Sequence, residues 1–320
     1  MSAPTLTHRP RPETEPEPPA HTHLGDRIFA GLARGSGLLI MVALASVFVF
    51  LAVEGVPGLS QPETIYRPAT DFLGYVVPLV FGTVLAAVLA LILAVPFAFG
   101  IALFISHYAP ARLAAPVAYV IDLLAAVPSV VFGLWGAQAL SAAFQPVQAW
   151  LADHAGWLPF FAGPVSATGK TILTASVVLA IMVLPIITAI SREVFRQTPR
   201  LHEEAALALG ATRWEMIRMA VFPYGRSGMV SAVMLGLGRA LGETMAVAMV
   251  LSASPVVTLN LISSTNPATV ASNIASSYKE GTPGKIHVLI ATGLVLFAIT
   301  FAVNFAARWV AGARERRLAR

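Results

Sequence analysis

The chain has no cysteine. Disulfide frameworks, thiolate metal sites, cysteine nucleophiles and redox switches are therefore excluded together. Charge is the second scarcity: 12% of the 320 residues are Asp, Glu, Lys or Arg, while 57% are hydrophobic. A soluble domain carries about 25% charged residues, and so few cannot cover the outside of a soluble chain of this length. Enzyme signatures are also missing, since neither an HExxH nor a GxSxG pattern occurs. The formal charge of +5 comes from basic residues at the edges of apolar runs. No basic patch interleaved with exposed aromatics suggests nucleic acid. What the sequence does contain is long apolar runs, and they specify an all-α polytopic membrane protein.

Residues 1–30 begin as a proline-rich stretch with Glu13, Glu15 and Glu17, too polar to pack and expected to be a disordered tail. His21 and His23 in that tail are not expected to hold a metal. About 20 apolar residues cross a membrane as a helix, and six runs qualify: about 35–53, 73–107, 113–143 with an interruption at Pro128, 171–191, 226–251 and 286–310. The second is long enough to be one tilted helix bent near Pro96 and Gly100, or a span with an extension. Residues 31–72 then form a first helix and outer loop, 73–311 a membrane core and 312–320 a basic tail. With the N-terminus inside, 16 of the 21 Lys and Arg residues fall in inner segments, as retention of positive charge on the cytoplasmic side requires. Both termini are expected to be cytoplasmic. Residues 144–170, with Trp150, Trp157, Phe160 and Phe161, are expected to lie at headgroup level. Residues 253–285, with Val270, Ile274 and Tyr278 at helical spacing, are expected to be a surface for meeting something outside.

Gly163 to Thr171 (GPVSATGKT) imitates a phosphate-binding loop but places five residues rather than four between its glycine and the Gly-Lys pair. No strand precedes it and the topology places it outside, so nucleotide binding is not expected. The inner loop 192–223 is more informative. Pro199 bounds a short helical stretch, Glu203 and Glu204 favour its positive N-terminal end, and Gly210 can close it in a left-handed conformation. Without further information this is a solvated loop between two spans.

Glu204-Ala205-Ala206, then Gly210 and a closing Pro223, resemble the EAA loop of ATP-binding-cassette importer permeases. Ala220 and Phe222 stand where that pattern prefers Ile and Leu. Asp122 to Gly136 (DLLAAVPSVVFGLWG), Glu204 to Arg218 (EAALALGATRWEMIR) and Gly236 to Val250 (GLGRALGETMAVAMV) are similar to the PstC-type subunits of the phosphate-specific transport family. The resemblance covers the chain from the first span to Trp309. It implies a type I, MetI-like permease core in a bacterial plasma (inner) membrane. It further implies a PstA-type sister permease, two PstB-type ATPases and an external PstS-type phosphate-binding protein. Glu203, Glu204, Ala205, Ala206, Leu209 and Gly210 would form the coupling helix that seats in the ATPase, and a bulky residue at Gly210 is expected to uncouple the two. ATP and Mg would sit on the ATPase, leaving this chain without a cofactor and without enzymatic activity.

Two charges inside the fifth run reach the same class from physical cost. A charged side chain at the middle of a membrane helix costs about 2.5–3.5 kcal/mol, and Arg239 and Glu243 lie four apart on one helical face where they can pair. One reading is an ion pair that locks the bundle; the other is that Arg239 meets a passing oxyanion with two parallel donors. On the second reading Glu243 holds Arg239 between visits, because conduction needs easy exit as well as entry. Thr244, Ser129 and Asp122 are further candidates for the pathway, with the break at Pro128 expected to help line it. Molybdate or sulfate would satisfy one arginine as well as phosphate does. An ion-coupled secondary transporter would call for inverted repeats and several membrane carboxylates, which the chain does not display, and an anchor without transport would leave the two charges unexplained.

Overall fold

The computed structural model describes residues 24–318. The expected tail at 1–23, with His21 and His23, and the last two residues of the basic tail lie outside the described residues. Two compact units divide the chain, residues 1–49 and 50–320.

The first unit is the opening part of α1 (Leu24–Gly55), so helix already covers residues 24–30 of the stretch expected to be a tail. Its side chains, Phe29, Leu39 and Met41 among them, are exposed and apolar, as lipid contact demands.

The second unit is almost entirely helical. After the end of α1 come α2 (Glu63–Tyr66), α3 (Phe72–Leu103), α4 (Ala111–Ala125), α5 (Ser129–Trp135), α6 (Ser141–Ala155) and α7 (Ile172–Arg196). The second half holds α8 (Arg200–Ala208), α9 (Arg213–Met216), α10 (Phe222–Gly242), α11 (Met245–Val250), α12 (Val270–Ser277) and α13 (Pro283–Leu318). Two-residue strands β1 (Ala253–Ser254) and β2 (Asn266–Pro267) pair in parallel. Starts are capped where the sequence offers acceptors: Asp71 accepts from the Gly74 N–H at α3, and Thr171 from the Thr174 N–H at α7.

Alanine determines the core. Ala86, Ala90, Ala94, Ala98 and Ala102 recur every fourth residue along α3 and are each 0–1% exposed. Its first four members pack in one cluster with Val178, Leu179, Val183 and Ile187 of α7 and Ala232 of α10, and Ala102 packs in a second with Phe195 and Ile217. Small residues permit such close approach where lipid removes the usual hydrophobic driving force.

Among the described residues, five unbroken helical stretches are long and apolar enough to cross a membrane: 25–60, 72–108, 129–155, 172–196 and 283–309. The chain is a multi-pass membrane protein, but two of the six expected runs differ from a plain span. The third is divided at Ala126–Pro128 into α4 and α5, and the fifth at Glu243–Thr244 into α10 and α11. The second is a single continuous α-helix to Leu103 despite Pro78 and Pro96, ending in a π-helical turn at Phe104–Tyr108.

The long loops are more ordered than expected. Residues 141–155 are helical, with Trp150 exposed on that helix and Trp157 exposed just after it. Much of 253–285 is not a surface: Ile262, Asn266 and Val270 are 0% exposed. Asn266 Oδ1 accepts from the Ile172 N–H at 2.9 Å, and the Val270 N–H donates to Thr83 Oγ1 at 2.9 Å, so the segment is threaded back onto α3 and α7. Val256, Val257, Leu259 and Tyr278 remain exposed.

Candidate functional site

The two interruptions lie side by side. A Cβ on Gly133 of α5 would stand 2.6 Å from Ala246 Cα of α11, and one on Gly136 would stand 2.9 Å from a Val250 methyl. Residues 133 and 136 thus match 246 and 250, so α5 and α11 run parallel and in contact. One turn back, this register brings Ser129 level with Glu243 and Thr244. Both helices begin again at one depth.

That depth is the middle of α7, whose 25 residues make it about 37 Å long. Gly136 abuts Val178, and Asp122 faces Arg192, so α4 and α5 together run antiparallel to α7. Gly228 of α10 abuts Val194 and Gly236 abuts Ile187, so α10 also runs antiparallel to α7. Three residues beyond Gly236, Arg239 reaches about the level of Leu184, near the centre. A cation placed there must be compensated or hydrated.

Arg239 and Glu243 do not form the expected ion pair. The i to i+4 geometry requires a continuous helix, and α10 ends at Gly242. Glu243 has extended backbone (φ −70°, ψ 129°) and is 8% exposed. Its Oε1 accepts from the Ala246 N–H at 3.2 Å. The carboxylate therefore sits at the start of α11, where free N–H groups and the positive end of the helix favour it. Thr244 spends its hydroxyl on the Gly242 carbonyl at 3.2 Å.

Arg239 is exposed to a cavity of about 880 Å³ whose lining includes Ile186, Ser227, Ser231, Asn304 and Arg308. No carboxylate lines it among the described residues. Ser227, Ser231, Leu235 and Arg239 recur at every fourth position, so one face of α10 supplies hydroxyls and a guanidinium in a row. Asn304 and Arg308, also four apart, come from α13.

Asp122 is separated from this group. Its Oδ2 lies 3.4 Å from Arg192 Nη2, near the Arg196 end of α7, so it fastens α4 to α7 and is not brought to Arg239. Ser129 opens α5 directly after Pro128.

The loop 192–223 folds as two helices around Gly210, as its sequence indicates. α8 buries no residue, and Leu209 is 90% exposed at its end. Gly210 has φ +83°, the left-handed conformation that glycine adopts without cost. In α8, Ala206 packs on Phe195, Met216, Ile217 and Val221, and Glu203 Oε1 lies 3.3 Å from His107 Nε2. Ala205 and Ala206 also line a shallow cavity of about 470 Å³ with His202, Met219 and Tyr224, and Glu204 and Leu209 are exposed. The second helix, α9, begins with a reciprocal cap in which Thr212 and Glu215 each satisfy the other's backbone N–H.

The stretch GPVSATGKT has structural roles in the fold. Its Thr171 is the buried cap of α7, and Gly169 (φ +67°) turns against the Ser141 carbonyl. Gln148, which the sequence did not single out, holds this turn: wholly buried, it donates from Nε2 to Thr171 Oγ1 at 3.1 Å and to Thr174 Oγ1 at 2.9 Å. Its signal was a pair of glutamines, Gln145 and Gln148, three apart in α6.

Residues 94–320 match the family described as "Binding-protein-dependent transport system inner membrane component". The chain is 48% identical over 302 residues to the "Phosphate transport system permease protein PstC 2" of Mycobacterium tuberculosis, covering 91% of this chain and 93% of that protein. It is 38% identical over 283 residues to the PstC of Haemophilus influenzae, covering 85% and 88%. An inward-facing structure of the MetNI methionine ABC transporter superimposes with a TM-score of 0.47 at 18% identity, over 72% of this chain and 91% of that one. The chain belongs to the binding-protein-dependent permease family and, within it, to the PstC permeases.

Proposed function

We propose that this PstC-family chain is a membrane subunit of an ATP-driven importer of inorganic phosphate, and that Arg239 contacts the anion in transit. The names carried by its relatives supply the substrate and the absence of an enzymatic role. One observation supports the site: a guanidinium at the mid-depth of α7 faces a cavity whose described lining has no carboxylate to neutralise it. A planar, always charged fork offers parallel donors to phosphate oxygens. Glu243 contributes by fixing the start of α11, not by holding Arg239 at rest. Ser129 and Thr244, level with each other where the two helices resume, lie beside the passage, and Asp122 stabilises α4 from a distance.

The chain works with a sister permease of PstA type, two PstB-type ATPases that hold ATP and Mg, and an external PstS-type binding protein. It lies in a bacterial inner membrane with both termini cytoplasmic, the orientation that its arginines favour. The exposed helix α8, bearing Glu203, Glu204, Ala205, Ala206 and Leu209 up to Gly210, docks on the ATPase. Closure of the ATPases on ATP moves α8, and the helices that pack on it follow as an element with two arrangements.

Phosphate uptake by the complete complex in proteoliposomes tests the site. Arg239→Ala is expected to lower uptake by about two orders of magnitude, as loss of a charge placed for the transported anion does, with ATPase recovery unchanged. Normal uptake would remove Arg239 from the pathway. Competition by molybdate and sulfate in the same assay checks the anion class.

A further inference from the structure

The cavity that receives Arg239 contains a second guanidinium with no assigned role. Arg308, on α13, lines it together with residues of α10. As an arginine near the end of an apolar helix, its ordinary use would be to set membrane orientation. Arg314, Arg316, Arg317 and Arg320 follow within twelve residues and already supply that charge. One turn earlier, Asn304 interrupts the apolar face of α13 and lines the same cavity; its Nδ2 donates to the Thr300 carbonyl at 2.9 Å, leaving a second amide hydrogen.

Two like charges lining one cavity repel each other and focus a positive potential that an anion relieves. At about 880 Å³ the cavity falls in the range of ligand clefts, about 300–1,000 Å³. The row from Ser227 to Arg239 covers twelve residues of α10, about 18 Å, which is much longer than one ion.

We infer that Arg308 is a second anion-contacting residue, which together with Arg239 makes this cavity a two-arginine track for a phosphate oxyanion, with Asn304, Ser231 and Ser227 as hydrogen-bonding partners along it. The inference rests on the proposed role of Arg239 and extends it to α13. The same chemistry would suit the phosphate of a lipid headgroup entering from the bilayer, and the inference commits to the free ion.

The test is the initial rate of phosphate uptake by the complete complex with saturating loaded binding protein. Arg308→Gln is expected to slow uptake about tenfold and Arg308→Lys, which keeps the charge for orientation as well as for the anion, by about threefold. The Gln defect is expected to be the same in bilayers of phosphatidylcholine alone and in bilayers containing phosphatidylglycerol. Uptake at the wild-type rate in Arg308→Gln would overturn the inference, as would a defect confined to phosphatidylglycerol bilayers, which would assign the cavity to lipid. If Arg308→Gln fails to assemble, Asn304→Asp decides: a carboxylate in the track is expected to slow uptake about tenfold by repulsion, and an unchanged rate overturns the inference. Arg239→Ala in parallel separates the two levels. A slow Arg239→Ala beside a normal Arg308→Gln removes the track alone, whereas a normal Arg239→Ala removes the parent role and the track with it.

Discussion

Arg239 and Glu243 are four residues apart, yet the carboxylate of Glu243 accepts a hydrogen bond from the Ala246 N–H at 3.2 Å and belongs to the next helix. The two charges therefore have separate duties, one toward a cavity and one toward the backbone.

Independence can be measured with a double-mutant cycle on uptake. Groups that do not share partners add to within about 0.5 kcal/mol, so the Arg239→Lys and Glu243→Gln effects are expected to sum. A coupling energy of 2 kcal/mol or more, on the order expected for interacting residues, would restore the ion pair. Separately, Glu243→Leu is expected to destabilise the solubilised complex by about 1–3 kcal/mol, because it strands a buried N–H; Glu243→Gln, which keeps an acceptor, is expected to cost less. Thermal unfolding reads both.

Gly133 and Gly100 make a matched pair for stability. Gly133→Ala places a methyl 2.6 Å from Ala246 Cα and is expected to cost about 1–3 kcal/mol by overpacking. Gly100→Ala meets nothing within 4 Å in the chain and is expected to gain about 0.5–1 kcal/mol from helix propensity. Melting temperatures in one detergent compare the two.

At Gly210 the expectation from sequence needs restating. A Cβ there meets nothing within 4 Å, so bulk as such is not obstructed within the chain; the φ of +83° is what glycine provides. Gly210→Asn, which tolerates the left-handed region, is expected to retain ATPase co-purification better than Gly210→Ala, whose backbone would be strained by about 1–2 kcal/mol. Equal retention by both would move the role of Gly210 to the docked partner's surface.

Glu215 gives the loop a pH dependence. The Thr212 backbone N–H first, and the Thr212 hydroxyl second, hold its carboxyl below the ordinary value of 4.5, against a smaller opposing effect of desolvation. A lowered folded-state value means that the cap stabilises fully above 4.5 and is lost as pH falls through the lowered value. Hydrogen exchange of residues 212–217 is expected to stay slow from neutral pH down to about 4.5 and to accelerate below it, after correction for intrinsic rates; Glu215→Gln should remove most of that step.

Local signals were legible in the sequence where they were sufficient by themselves. Pro199, Glu203, Glu204 and Gly210 mark both ends of α8, and Pro128 marks the break before α5. The break at Glu243 escaped because no proline announces it. The spacing of Arg239 and Glu243 suggested a helix that continues. Asp122 and Arg192 are seventy residues apart, so no periodicity could join them. Nor could the helical spacing of Val270, Ile274 and Tyr278 show that Asn266 would end up wholly buried at the start of α7.

The alignment of the two interruptions has a mechanical consequence. Within a helix, a hinge must stretch ladder hydrogen bonds; at 126–128 and 243–244 the ladders are already open. Since Gly133 of α5 and Gly136 just beyond it abut α11, a tilt of that pair against α4 and α10 takes its backbone torsions in two short linkers at a common height, with Gly136 sliding past Val178 of α7. The membrane core thus contains a ready-made crease, and its folding axis crosses the molecule at the level of Arg239.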